Sequence, residues 1–106
     1  MAATLINIGA VNIGTADVVA YTVPANKTAM LLGCSVTNIY GAIVPLDVLV
    51  RKGAIDVRLA KERRVANGKS EEMVAGKVVL AAGDALVLRG YAEASFDALI
   101  SLAEGV

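Results

Sequence analysis

Apolar and polar residues alternate with a period of two along most of the chain, the pattern of β-strands that have one buried and one wet face. The alternation is most regular where Ile55, Val57 and Leu59 are separated by Asp56 and Arg58. Upstream, the apolar side chains of Met30, Leu32, Cys34 and Val36 share one parity and therefore one predicted face. Period-two segments lie at 30–37, 44–51, 55–60, 86–89 and 96–102.

Two earlier segments, 5–13 and 18–23, are also rich in β-branched residues. In the first of them the apolar parity changes at Gly9-Ala10, from Ile6 and Ile8 to Val11 and Ile13. Such a change predicts a β-bulge at this glycine. The second segment ends in the turn sequence 24–27, which begins with a proline.

Turn residues recur about every 8–12 residues, as in β-sandwiches and barrels. A helix is conceivable only at 60–66, but this segment is short and stops at Asn67-Gly68, so it continues the preceding strand or forms a loop. The pattern predicts an all-β protein with a single antiparallel β-sandwich, jelly-roll-like, of eight to nine short strands.

The chain has 106 residues, of which 57% are hydrophobic, a length that favours a single domain. Its mean hydropathy of +0.65 is high. No run of about 18 apolar residues occurs, so we expect no spanning helix. The first residues lack the basic start of a signal peptide, which predicts synthesis in the cytoplasm.

Ten basic and ten acidic residues give a formal net charge of zero, but they are unevenly placed. Residues 1–50 carry only Asp17, Lys27 and Asp47. Half of a small domain cannot lie wholly in the interior, because a chain of this size buries only about two-thirds of the surface that its unfolded form exposes. Part of the sparsely charged half is therefore predicted to face a partner, another copy, or water through its Thr, Asn, Ser and Gly residues. We expect residues 1–16 to form an uncharged arm or edge strand beside a sandwich domain at 17–106, with partner contacts at Leu5, Ile6, Ile8, Val11 and Ile13.

The densest basic cluster contains Arg51, Arg58, Arg63 and Arg64. One hypothesis is a contact with an anionic surface of a partner; the alternative is a solvated loop whose charges guard an edge strand. A nucleic-acid site is not predicted, because no aromatic residues are interleaved with the arginines for base stacking.

Catalytic chemistry has little support in the composition. There is no histidine, and the single cysteine, Cys34, falls on the apolar parity of its strand and reads as a core residue. Only an all-oxygen metal site would be possible, and strand alternation points the adjacent Glu71 and Glu72 apart. Asp84 after Gly83 is predicted to be a turn residue. No catalytic, cofactor-binding or metal-binding residue is therefore assigned.

Three segments carry a family resemblance: 23–29 (VPANKTA), 76–84 (GKVVLAAGD) and 95–101 (SFDALIS). Each adjoins or forms an aliphatic strand, and together they resemble the small all-β accessory proteins of tailed-bacteriophage virions, over about residues 17–104. The resemblance brings no catalytic or binding residues with it.

The resemblance implies a non-enzymatic, jelly-roll-like capsid decoration (cement) protein without a cofactor. Such a protein would form a dimer or trimer and bind the lattice of the major capsid protein on the outer surface of the head, without contact to nucleic acid or membrane. A component of the tail, baseplate or fibre attachment is the alternative within this class. A carbohydrate-binding sandwich module is the alternative from another class, and a cluster of exposed Tyr21, Tyr40 and Tyr91 near carboxylates would distinguish it.

Overall fold

The computed structural model describes residues 3–74 and 76–105, and the chain folds there into nine β-strands. The strands are β1 (Thr4–Ile13), β2 (Val18–Thr22), β3 (Ala29–Asn38), β4 (Val44–Lys52), β5 (Ile55–Val65), β6 (Ser70–Glu72), β7 (Val78–Leu80), β8 (Ala85–Gly90) and β9 (Phe96–Glu104). No helix long and apolar enough to cross a membrane occurs in this part of the chain.

The strands form two antiparallel sheets that pack face to face. Sheet A has the order β1-β9-β3, and β6 and β7 both pair with β3; sheet B has the order β2-β8-β4-β5. The chain passes repeatedly from one sheet to the other, which gives the strand order of a jelly roll. The predicted fold class is therefore confirmed.

One continuous core lies between the sheets. It contains fully buried side chains from β1, β3, β4, β8 and β9, with Phe96, the single phenylalanine, among them. Both sheets contribute alternate residues of their strands, as expected for a sandwich. Beside Phe96, large fully buried side chains in this core include Ile13, Leu31, Ile100 and Leu102 from sheet A and Leu46, Leu86 and Leu88 from sheet B.

The bulge of β1 lies later than the sequence pattern predicts. Ala10 still pairs with Ala98 on the inner face, and the register shifts between Ala10 and Ile13, where Asn12 has a φ of 54°. Val11 therefore points outward and is 71% exposed, whereas Ile13 returns to the core. The prediction that Val11 and Ile13 share one face is wrong, because the extra residue is inserted between them.

A second bulge corrects the predicted face of β3. The register of β3 against β9 shifts between Leu31 and Gly33, so Leu31 is buried and Leu32 is 39% exposed. Cys34 and Val36 lie in the core as expected. The predicted alternation from Met30 to Val36 is therefore wrong at its start. One extra residue in β3 places the residues before the bulge on the face opposite to the predicted one.

Strand β5 runs through the segment with the helical candidate, since it extends from Ile55 to Val65. It is one of the two edge strands of sheet B, and Ile55 and Val57 are 66% and 46% exposed. The most regular alternation in the sequence thus belongs to a strand whose apolar side is largely uncovered. Alternation predicts that a segment is a strand, but the elements packed against it determine how deeply its apolar side is buried.

Candidate functional site

The outer face of sheet B carries a network of ion pairs. Asp17, which precedes β2, accepts hydrogen bonds from Arg89 of β8 and from Arg51 of β4, the latter at 2.9 Å. Arg51 also donates from Nε to Asp56 of β5 at 2.8 Å. We call the outward residues Asp17, Asp47, Arg51, Asp56, Arg58 and Arg89 the charged face.

These pairs shift the ionisation of their members. The hydrogen bond from Arg89, followed by that from Arg51, lowers the pKa of Asp17 from its usual 3.8 to about 2. The pKa of Asp56 is lowered chiefly by its hydrogen bond with Arg51. Both carboxylates therefore stay ionised well into acid solution.

Two apolar side chains are buried in this charged face. Leu49 and Val87 oppose each other on β4 and β8, point away from the core and are fully buried, and they form a small cluster with Ala85. Arg51 and Arg89 flank them two residues further along their strands, on the same face. The ion pairs thus lie around an apolar patch that gains from being covered.

Asp47 is the buried acid at the end of the charged face, with 1% exposure. Its Oδ1 accepts a hydrogen bond from the backbone of Glu62 at 2.6 Å, and the hydroxyl of Tyr91 lies 3.1 Å from both of its oxygens. The Nε of Arg58 is 3.7 Å from Oδ2. These partners satisfy the carboxylate and join β4, β5 and the β8–β9 loop.

The outer face of sheet A is of a different kind. Large apolar side chains are exposed on it from four strands, and small residues such as Gly9, Gly33, Ser35 and Ser101 separate them. We call this surface the apolar face and define it by its exposed members Leu5 (78%), Val11 (71%), Val79 (68%), Leu99 (52%) and Leu32 (39%).

The two acids on the apolar face have backbone partners. Asp97 accepts a hydrogen bond from the backbone N–H of Asn12 at 3.0 Å, which holds the bulge of β1. Glu72 accepts from the N–H of Cys34 at 2.5 Å, in the gap between β6 and β7. Both carboxylates thus complete the hydrogen bonding of the sheet, and among the described residues of this face they have no ion pair.

The contact residues predicted in the first segment fall into three environments. Leu5 and Val11 are exposed on the apolar face, and Ile6 and Ile8 point inward and pack against the core from the open edge of sheet A. Ile13 is fully buried, so it is unavailable to a partner and its assignment as a contact is wrong. Of the two alternatives for this segment, an arm or an edge strand, residues 4–13 form the edge strand, because β1 pairs with β9 from Thr4 to Ile13.

The four predicted arginines do not form one patch. Arg51 and Arg58 lie on the charged face and contact acids there. Arg63 donates to Glu71 of β6 at 2.8 Å and so joins the edges of the two sheets. Arg64 is exposed and has no ion pair with any residue that the structure describes. Of the four, it is the one whose charge is open to an anionic partner.

The remaining polar candidates have structural roles. Cys34 is fully buried, and burial, then the nearby charge of Glu72, raises the pKa of its thiol to about 12, which confirms its reading as a core residue. Asp84 accepts a hydrogen bond from the backbone of Ala81 at 2.9 Å and pairs with Lys52, as expected for a turn residue. Within residues 3–74 and 76–105, no group of three acids or thiols could hold a metal ion.

The three tyrosines do not form one cluster. Tyr21 pairs with Leu86 near the start of β8 and donates to Glu104 at 2.6 Å, while Tyr91 follows the end of β8. Tyr40 lies in the β3–β4 loop, which a hydrogen bond from Ile39 to Ser95 joins to the loop of Tyr91. Only Tyr40 and Tyr91 therefore share one end of the sandwich.

Sequence reasoning did not name Leu32, Val79 or Leu99 as contact candidates, although the alternation of 96–102 places Leu99 on the same face as Asp97 and Ser101. It also missed that Leu49 and Val87 are buried. Their exposure depends on the bulges and on which strands meet across each sheet. No local pattern contains this information.

Comparison with known proteins supports the fold. No protein-family model matches the chain, and no curated protein matches its sequence. Among solved structures, the chain is similar to one described as "Bacillus endospore appendages form a novel family of disulfide-linked pili", with a TM-score of 0.55 and 12% identity. The match covers 100% of this chain and 91% of the other. The structural neighbour is thus a pilus subunit, and at this identity the likeness concerns the fold alone.

Proposed function

We propose that the protein is a non-enzymatic structural subunit of a virion, a decoration protein that binds the lattice of the major capsid protein through the apolar face of sheet A. The observation that best supports this proposal is the contrast between the two outer faces of the sandwich. The charged face satisfies its own charges, whereas the apolar face exposes five large apolar side chains among small ones.

Exposed contiguous apolar surface is a common mark of an interaction site. Between the apolar side chains lie small residues such as Gly9, Gly33 and Ser101, so a partner can approach the sheet closely at these points. A repeating lattice needs only weak contacts at each copy, because many copies together retain the layer. An exposed apolar face suits this kind of binding.

A non-enzymatic role is supported by where the titratable groups are engaged. The carboxylates of Asp17, Asp84 and Glu104, whose pKa values are lowered, are each paired with a cation or hydroxyl that joins two elements of the fold. The thiol of Cys34 is buried and protonated at neutral pH. These groups stabilise the sandwich.

A subunit of a filament or tail is the second candidate. It is favoured by the likeness of the fold to a pilus subunit and by the open edge of β1. Electron microscopy of concentrated purified protein tests it, since a filament subunit forms fibres and a decoration protein does not.

Electron imaging of virions with the protein labelled tests the location. We expect label over the whole head. Label confined to the tail would replace the decoration role by the tail role, and virions without label would overturn both.

A matched pair of variants tests the face. Leu99 on the apolar face and Val19 on the outer side of sheet B have similar exposures of 52% and 54%. We expect Leu99→Lys to abolish rebinding to shells stripped of the protein and Val19→Lys to leave rebinding unchanged. Equal rebinding of both variants would exclude the apolar face as the docking surface.

A further inference from the structure

The four edges of the two sheets are protected to very different degrees. Strand β5 carries the charged run 61–64, β2 has only five residues and a register shift, and β6 and β7 have three residues each. Charges, irregularity and short length are the usual means of preventing strands from pairing with other chains. Three of the four edge regions have such protection.

Strand β1 lacks it. It is ten residues long, pairs with β9 on one side and has no strand on its other side among the described residues. It contains no charged residue and no proline. Gly9, in the middle, has no atom within 4 Å of the position where a Cβ would be. An edge of this length and composition is a template for another strand.

We propose that β1 pairs with β1 of a second copy of this chain, antiparallel about a two-fold axis at Ile8, so that the two A sheets form one continuous sheet. This pairing rests on the proposed structural role and selects the dimer from its oligomeric alternatives. An isologous contact of this kind needs a strand that is complementary to itself.

The register about Ile8 keeps both faces of the sheet intact. It places Leu5 opposite Val11 of the other copy, and these are the two most exposed large apolar side chains among the described residues, at 78% and 71%. On the same outer face, Asn7 lies opposite Gly9 of the other copy. On the inner face, Ile8 meets its own copy, and Ile6 meets Ala10.

The pairing also explains the state of the inner residues. Ile6, Ile8 and Ala10 pack against the core but remain partly exposed at the open edge. A second β1 would cover them and satisfy the outward backbone groups. Since β1 carries no charge, no repulsion opposes the contact of two identical strands.

Sedimentation velocity with the full-length chain tests the dimer. We expect the wild type at twice the chain mass of 10.9 kDa. The Asn7→Lys/Gly9→Lys variant, which places lysines opposite lysines, should fall to the monomer mass with an unchanged circular dichroism spectrum. The control Val79→Lys/Leu32→Lys adds the same charge to the same face at the opposite edge and should remain a dimer.

A pair of cysteine variants tests the register of the two β1 strands. It also keeps the proposal testable if the lysine variant does not fold. Asn7→Cys and Gly9→Cys proteins, differently tagged and mixed under oxidation, should give a mixed disulfide, because opposed residues lie within bonding reach. Each variant alone should form little disulfide-linked dimer, because the same position in the two copies is diagonal across the seam and not directly opposite.

A monomeric wild type, a dimeric lysine variant that retains the fold, or the absence of the mixed disulfide would overturn the pairing. None of these results bears on whether the protein binds the capsid. Conversely, a dimer that fails to bind stripped shells would overturn the decoration role and leave the pairing of β1 intact.

Discussion

Asn38 is a buried side chain that joins three parts of the fold, with 1% exposure. Its amide nitrogen donates to the carbonyls of Ala42 and Val65, both at 2.7 Å, and its oxygen accepts from the N–H of Tyr40 at 2.8 Å. Removing the amide leaves buried backbone groups without partners.

We therefore expect Asn38→Ala to lower the free energy of unfolding by about 2–3 kcal/mol. Urea denaturation measures this change. The exposed Asn7→Ala serves as the control and should change the value by less than about 0.5 kcal/mol. Equal effects of the two substitutions would show that the hydrogen bonds of Asn38 are not needed.

Asp17 gives the charged face its dependence on pH. Its pKa is about 2 in the folded protein and 3.8 ordinarily, because Arg89 and then Arg51 donate to its carboxylate. The stabilisation is complete above about pH 4 and is lost as the pH falls through about 2.

Because the side chain is partly exposed, we expect Asp17→Asn to cost about 1 kcal/mol at most at pH 7. The difference from the wild type should shrink steadily from pH 4 to pH 2 in urea titrations. A difference that persists at pH 2 would mean that the aspartate acts through something other than its charge.

At the scale of the elements, sequence periodicity predicts which segments are strands but not their exposure. Strands β3, β4, β5, β8 and β9 follow from alternation, since the period of a strand is a local property. The bulges at Leu32 and Asn12 and the open side of Ile55 and Val57 do not follow from it. They depend on register and on where the opposite sheet ends, which are set by contacts distant in sequence.

Two leucines that both point away from the core should contribute very differently to stability, because they lie on different outer faces. Leu49 on sheet B is fully buried, and Leu99 on sheet A is 52% exposed. We expect Leu49→Ala to lower the free energy of unfolding by about 2–4 kcal/mol and Leu99→Ala by less than about 0.5 kcal/mol. Chemical denaturation of both variants decides this, and similar losses would contradict the apolar patch within the charged face.

For the whole molecule, charges are uneven both along the sequence and between the two outer faces, but the two asymmetries do not correspond directly. The sparsely charged first half supplies β1 and β3 to sheet A but also β2 and most of β4 to sheet B. The contrast between the faces arises because Arg51, Asp56, Arg58 and Arg89, from three strands of sheet B, converge on its outer side. The sequence therefore predicts a sparsely charged surface, but the topology decides on which outer face it lies.

This arrangement predicts how the protein should respond to salt when it is bound to virions. Between about 0.1 and 1 M salt the Debye length falls from about 10 to 3 Å, which weakens contacts between exposed charges and leaves apolar contacts in place. Because docking through the apolar face involves few charges, we expect sedimented virions to retain the protein across this range, and the Arg63→Glu/Arg64→Glu variant to be retained equally. Release of the wild type at high salt, together with failure of this variant to bind, would assign the contact to the basic cluster and not to the apolar face.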